Sequence, residues 1–323
     1  MLCGDGTNAT HGIRDKLGRP ASVSTPPVGR ARGLTVFFAV GICALAVALP
    51  VAAITGGRYD GSDHPYVGFA DNGVWACSGT LLSPTVMLTA AHCFSSSTST
   101  FGTNAVTGAP VVRVSFDPDL INTPLNQRVW FFGSYYFDQQ FGLTGAGRSG
   151  SDSHDVAVII FTRAGCSVPA GQTGSCGPVP SSTTMNQYGA LPSTHLVDAL
   201  AANALLEIVG FGVQDFVRGG GPCGGTCEPR PGTFFTRFAA QTTLIASNDA
   251  MSGSFIKMHG NKGGVCFGDS GGPDLLAGTR TVLAVNSLVT NELCAGIGYG
   301  YRVDTAGTLG WISSTVSAHG ASL

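Results

Sequence analysis

Apolar residues in this chain gather in short runs separated by small and polar ones. From residue 66 onward the runs are "YVGFA", "WACSGTLLS", "VMLTAA", "VVRVSF", "RVWFFGSYYF" and "DVAVIIF". After a gap come "LEIVGFGV", "FTRFAAQTTLI", "SFIKMHG", "TVLAVNSLV" and "GIGYGYRV". Gly, Pro, Ser, Asn and Asp bound them, the residues that turns demand. Strands at this spacing predict a sandwich or barrel rather than β-α-β winding, so the chain reads as all-β. Only "TAGTLGWISSTVSAH" reads as a helix, and Gly307 and Gly310 weaken it. Segments 95–110 and 142–153 read as loops, 165–195 as a connector between halves, and "GGGPCGGTCEP" (219–229) as a tight loop tied off by its own cysteines. After Ile54 no linker, repeat or charge block separates independent domains.

Composition narrows the picture. The 323 residues are 43% hydrophobic and 11% charged, with 47 glycines and net charge -2, enough chain for one large or two modest domains with a real core. Low charge and lysine only at 16, 257 and 262 argue against a nucleic-acid surface. Ten cysteines point to an oxidising compartment. At the N-terminus, Arg14, Lys16, Arg19, Arg30 and Arg32 stand against Asp5 and Asp15, and the apolar run "LTVFFAVGICALAVAL" ends at Pro50. Val51 and Ala53 fit a signal-peptide cleavage site, making residues 1–53 a signal region and the product secreted, with membrane contact only during export. The long basic flank leaves room for a translation start downstream, for example at Val23 or Val28. The alternative is a retained anchor, because Leu34 to Ile54 is uncharged and close to the ~20 residues needed to span a bilayer. Cleavage would remove Cys3 and Cys43 and leave eight cysteines, an even number.

Three islands carry candidate chemistry: "TAAHC" (Thr89 to Cys93), "DVAVI" opening with Asp155, and "GDSGGP" (Gly268 to Pro273). Alone, each has a plain structural reading. A single His is commonly structural, and an Asp before a β-branched run commonly caps a strand. "GDSGG" also fits the G-x-S-x-G elbow of α/β-hydrolases, which needs Asp and His downstream of the serine. The one later His is His319 in the tail, and the alternation of strands and helices is missing, so that reading is set aside.

In the order His, Asp, Ser the islands resemble the chymotrypsin/trypsin-type serine endopeptidases over most of the chain after Ile54. The resemblance implies two antiparallel six-stranded β-barrels, about 54–165 and 190–303, with the active site between them and a short C-terminal helix about 304–318. Cys77 and Cys93 bracket the segment before the His as the family's histidine-loop disulfide does. Cys266 precedes the serine at the family's spacing, with Cys294 as partner. "IVGFGV" resembles the strand opening the second barrel, and Ser287–Leu288 the strand lining the cleft. Cys166, Cys176, Cys223 and Cys227 can pair in three ways, neighbours in sequence being favoured. The roles implied are His92 as general base, Asp155 as its orienting carboxylate, Ser270 as nucleophile, and the N–H groups of Gly268 and Ser270 as oxyanion hole.

In that family a free Ile or Val amine pairs with the Asp before the serine. Here "ITGG" at 54–57 offers Ile54 for Asp269, with Thr55 in place of Val, and cleavage after Ala53 would itself release the amine. An ordinary signal scar unconnected to Asp269 is the competing reading. The residue six before the serine sets much of the family's specificity. Gly264 stands there, so preference for Arg or Lys is not expected. Ser287, Val289 and Gly298 resemble the pocket walls. Val289 at the usual glycine position would narrow the pocket towards small or medium apolar residues; a shifted alignment would leave it open to aromatic ones. Asp117 and Asp119 in "FDPD" hint at calcium, but a solvated turn is the favoured reading. His64, His154, His195 and His259 read as surface or strand residues, and no metal-ligand spacing appears. The expectation is therefore a monomeric enzyme acting on protein or peptide substrates, without cofactor or metal. The competing classes are a non-catalytic binding protein on the same fold and an enzyme restricted to esters or a very narrow set of bonds.

Overall fold

The first six apolar runs pair with one another, and so do the later ones. In the computed structural model the described residues are 54, 57–142, 152–214, 216–217, 228–229, 234–246, 253–260, 264–290, 294 and 296–323. The first barrel comprises β1 (Val67–Asp71), β2 (Ala76–Ser83), β3 (Val86–Thr89), β4 (Val111–Ser115), β5 (Phe131–Phe137) and β6 (Ala157–Ile160). They hydrogen-bond in the order β4-β1-β2-β3-β6-β5, and β4 pairs with β5 to close the ring. The second comprises β7 (Leu205–Gly210), β8 (Phe238–Ala246), β9 (Phe255–His259), β10 (Pro273–Leu276), β11 (Val282–Val289) and β12 (Ile297–Arg302). Their order is β8-β9-β12-β11-β10-β7, closed by β7 against β8. Closure leaves no open sheet edge in either ring. Arg58–Tyr59 adds to β8, and Ser175–Cys176 runs parallel to β5.

Eleven of these strands coincide with the apolar runs. The twelfth, β10, hides in "PDLL", where Pro and Asp are residues that strands disfavour. Helix α1 (Ala306–Ala318) starts at Thr305, whose hydroxyl accepts the Thr308 N–H at 3.1 Å, and it buries Thr308, Ile312 and Val316. Gly307 and Gly310 face open space, so packing of the opposite face outweighs their poor propensity.

The barrels share a seam. The buried guanidinium of Arg237, just before β8, reaches the carbonyls of Val67 and Phe116 in the first barrel. It also donates to Asp60 at 2.8 Å, and Asp60 in turn lies 2.6 Å from His64 Nδ1. His64 is therefore not the surface or strand residue expected from its sequence; it is buried in an ion-pair network. Burial works against its proton, but hydrogen bonds to Asp60 and Glu207 dominate and push its pKa up to about 9. His195 and His259 are exposed, and half-buried His154 meets Asp138 at 3.0 Å. Asp117 and Asp119 accept turn N–H groups from Asp119 and Asn122.

Disulfides join Cys77 to Cys93, Cys166 to Cys176 and Cys266 to Cys294. Residues 1–53, Cys223 and Cys227 lie outside the described residues.

Candidate active site

Strand β3 runs into a single 3-10 turn, Ala91–Cys93, that carries His92 at the mouth of the seam. Two things pin the turn. Cys93 is bonded to Cys77 on β2, and the Tyr135 hydroxyl from β5 donates to the carbonyls of Ala90 and Ala91 at 3.0 and 2.7 Å. Asp155 stands two residues before β6, which is paired with β3, so strand register brings it to His92. Its Oδ1 accepts the His92 backbone N–H at 2.9 Å, and its Oδ2 meets His92 Nδ1 at 2.8 Å. The Ser287 hydroxyl also donates to Oδ2. An ionised carboxylate only accepts, so Nδ1 carries the proton and Nε2 is left free as a base. Burial opposes both charges, yet the attraction between Asp155 and His92 prevails. The Asp155 pKa is lowered and the His92 pKa raised.

Ser270 lies in the turn between the Cys266 disulfide and β10. Gly268 has φ +97°, and a Cβ there would come within 2.5 Å of Phe234 and 3.0 Å of Gly212 Cα, so only glycine fits. The Phe267 carbonyl accepts from the Val213 N–H at 2.8 Å. In a planar trans peptide this turns the Gly268 N–H the opposite way. Among the described residues, neither the Gly268 N–H nor the Ser270 N–H donates to a protein acceptor. Ser78 on β2 fixes the turn from the other barrel. Its N–H donates to the Ser270 carbonyl at 2.8 Å, and its hydroxyl donates to the Gly268 carbonyl at 2.9 Å while accepting the Phe211 N–H.

His92 and Ser270 line one cavity of about 330 Å³, and no hydrogen bond joins them in this structure. Its other walls are Val265, Phe267, Asn286, Leu288 and Val289, together with Ser287. Gly298 backs the wall, for a Cβ there would be 2.7 Å from Val265. Gly264 is buried next to Val265. Val265, Phe267 and Asn286 were not singled out in the sequence. The one visible signal was Asn286, a polar residue inside the run "TVLAVNSLV". A second cleft of about 1020 Å³ adjoins the first at His92, Phe267 and Ser270, includes Gly268, and is walled by Trp75, Trp130, Phe234 and Phe235.

Asp269 is wholly buried. Its carboxylate accepts from the Gly212 N–H at 2.8 Å and the Cys266 N–H at 2.9 Å, and burial pushes its pKa up to about 7. Gly210 and Gly212 of "IVGFGV" press directly on it, which is why side chains are missing there. Ile54 is buried in the interior cluster of the second barrel, with φ +42°. No ion pair joins it to Asp269: the chain is continuous through Ala53, so the Ile54 nitrogen is an uncharged amide.

A family model described as Trypsin matches residues 53–119, the stretch that holds β1 to β4 and the His92 turn. Over that stretch the chain is similar to the trypsin family. Solved structures of similar fold include human heparin binding protein, at 18% identity and TM-score 0.54, covering 83% of this chain and 99% of that one. A mutant of that protein gives TM-score 0.55 at 18% identity, with the same coverage. HL collagenase gives 0.49 at 17% identity, covering 81% of this chain and 96% of that one. No curated protein matches by sequence. The described residues thus bring an oriented base, a hydroxyl and two N–H groups with no protein acceptor to the place where the two clefts meet.

Proposed function

We propose that this chain is a secreted serine endopeptidase of the trypsin family. The observation that supports it best is the pairing of Asp155 with both the ring and the backbone of His92, at the mouth of the cavity that Ser270 shares. In the reaction, His92 Nε2 takes the Ser270 proton as Oγ bonds to the substrate carbonyl carbon, help typically worth ~10²–10⁴ in rate. The carbonyl oxygen becomes an anion facing the Gly268 and Ser270 N–H groups, each donor of this kind contributing on the order of 10²–10³. His92 then passes its proton to the leaving amine, and the C–N bond breaks to leave an acyl-enzyme. Water, deprotonated by the same nitrogen, releases the second product and restores the hydroxyl. Asp155 holds the tautomer and stabilises the imidazolium throughout.

The free amine of Ile54, released by cleavage after Ala53, completes the site. Asp269 has only two backbone partners, and a buried carboxylate without a counter-charge is unfavourable by ~3–5 kcal/mol, so an arriving ammonium would reorganise its surroundings. The enzyme acts on protein or peptide chains as a monomer. Gly264 supplies no carboxylate, and Val265, Phe267, Leu288 and Val289 give the cavity largely apolar walls.

A binding protein on the same fold is the second reading, favoured by the likeness to a protein named for binding heparin. The formal charge of -2 makes a polyanion a poor partner for this chain. A fluorophosphonate probe separates the two. Labelling of the processed wild type that disappears in Ser270→Ala is the expected result; a processed protein that takes no label leaves only the binding reading.

A further inference from the structure

A peptide chain that crosses Ser270 needs room on both sides of it. The smaller cavity, about 330 Å³, is walled by Ser287 to Val289 and accommodates the residue before the cut bond. The larger, about 1020 Å³, joins it at His92, Phe267 and Ser270 and is the space open to the leaving half. Three separate segments build this larger cleft. Trp75 comes from the β1–β2 hairpin, Arg128 and Trp130 from the connection between β4 and β5, and Phe234 and Phe235 from the stretch before β8.

Its walls are aromatic from the reacting atoms outward. Phe234 is the nearest side chain to the site a Cβ would occupy at Gly268, so the wall begins at the nucleophile turn. Phe235 packs edge-on against Phe234 at 4.0 Å and against buried Phe69 at 5.1 Å, which holds its ring in place. Yet Trp75 is 60% exposed, Phe267 49% and Phe235 37%. Single exposed apolar residues are ordinary, but large rings gathered around one concave opening mark a contact surface.

The charges in the cleft do not balance. Besides His92, its titratable lining residues are Asp71, Arg113 and Arg128. Arg113 is satisfied: its Nε donates to Asp71 Oδ2 at 2.9 Å, one terminal nitrogen donates to Gln172 at 2.8 Å, and the guanidinium lies 4.2 Å from the centre of the Trp130 ring. Arg128 is half-buried and, among the described residues, donates only through Nε, to the Thr123 carbonyl at 3.0 Å. No described carboxylate pairs with it, so its terminal nitrogens keep the fork that fits a carboxylate. In a chain only 11% charged, an unmatched guanidinium beside aromatic walls is a specific feature.

We propose that this cleft selects the leaving half of the substrate, taking an aromatic side chain on the residue after the cut bond and an acidic side chain further along. The aromatic ring lies among Phe234, Phe235 and Trp75, next to the turn of Gly268. The carboxylate meets Arg128. Basic residues beyond the cut bond are disfavoured by the same guanidinium. Selectivity on this side then comes from the hairpin and the β4–β5 connection rather than from the smaller cavity. This rests on the endopeptidase reading of the site, and its test is arranged to fail separately.

The peptides Phe-Glu-Glu amide, Ala-Glu-Glu amide and Phe-Gln-Gln amide are titrated calorimetrically into the purified full chain carrying Ser270→Ala, alone and combined with Trp75→Ala or Arg128→Gln. Phe-Glu-Glu amide should bind at least tenfold tighter than either control. Trp75→Ala should remove its advantage over Ala-Glu-Glu amide, and Arg128→Gln its advantage over Phe-Gln-Gln amide. Equal binding of the three peptides, no binding, or an advantage that survives both substitutions overturns the proposal. So does displacement of all three alike by heparin, which would make the cleft a polyanion site. With active wild type, substrates identical before the cut bond should be cleaved at least tenfold better in kcat/KM with Phe-Glu-Glu after it than with Ala-Gln-Gln; no preference also overturns it. Fluorophosphonate labelling of the wild type reports independently on hydrolysis. Selective peptide binding without labelling would sustain the cleft while removing the endopeptidase reading.

Discussion

Asp155 divides its carboxylate among three donors: the His92 ring, the His92 backbone and the Ser287 hydroxyl. The arrangement fixes where the imidazole points and how readily it holds a proton. Because Asp155 raises the His92 pKa against the opposing effect of burial, the acid limb of kcat/KM should lie above the ordinary imidazole value near 6.5. Activity should rise with pH as His92 loses its proton. Asp155→Asn should move that limb to lower pH and cut the plateau by about 10⁴. A pH profile of the two proteins checks both effects, and an unmoved limb would show that Asp155 does not set the base. The residues themselves were legible in the sequence because "TAAHC" and "GDSGGP" are dense and specific. Asn286 was not, since a polar residue within an apolar run says nothing about which cavity it faces.

At the scale of elements, strand periods and turn residues made eleven of twelve barrel strands readable, and burial explains the exception. Strand β10 carries an Asp where its neighbours would place an aliphatic residue, so its pattern is broken there. Helix α1 formed despite two glycines because its packing face, not its propensity, decides. The segment before β1 illustrates what sequence patterns miss: His64, Asp60 and Arg237 lie far apart in the chain, yet close into one buried network. His64 binds its proton more tightly in the fold, with a pKa of about 9 against 6.5 for an ordinary imidazole. The associated stability is fully present below about pH 6.5 and is lost as pH climbs through about 9. Urea midpoints measured at pH 6 and pH 9.5 should therefore fall with pH, and His64→Gln should flatten the difference. A wild-type midpoint that held steady would mean that the network binds no extra proton.

For the molecule as a whole, the order of processing and activity becomes a question of one carboxyl group. In the continuous chain Asp269 keeps a proton to about pH 7, because it is buried with only two backbone donors. Protein beginning at Ile54 should be active, and protein retaining even a few residues before it should lose most of its turnover. N-terminal sequencing of the secreted product combined with kcat measurements checks this, and a fully active product starting elsewhere would disconnect Ile54 from Asp269.

Ser78 belongs to the first barrel, yet its amide and hydroxyl fasten the loop of Ser270 and the strand leaving β7 in the second. A single small side chain thus acts as a rivet through the joint, and neither half carries the finished nucleophile turn by itself. Slippage of one half against the other would dismantle the reacting geometry before either half melted, so loss of turnover on heating should precede loss of secondary structure.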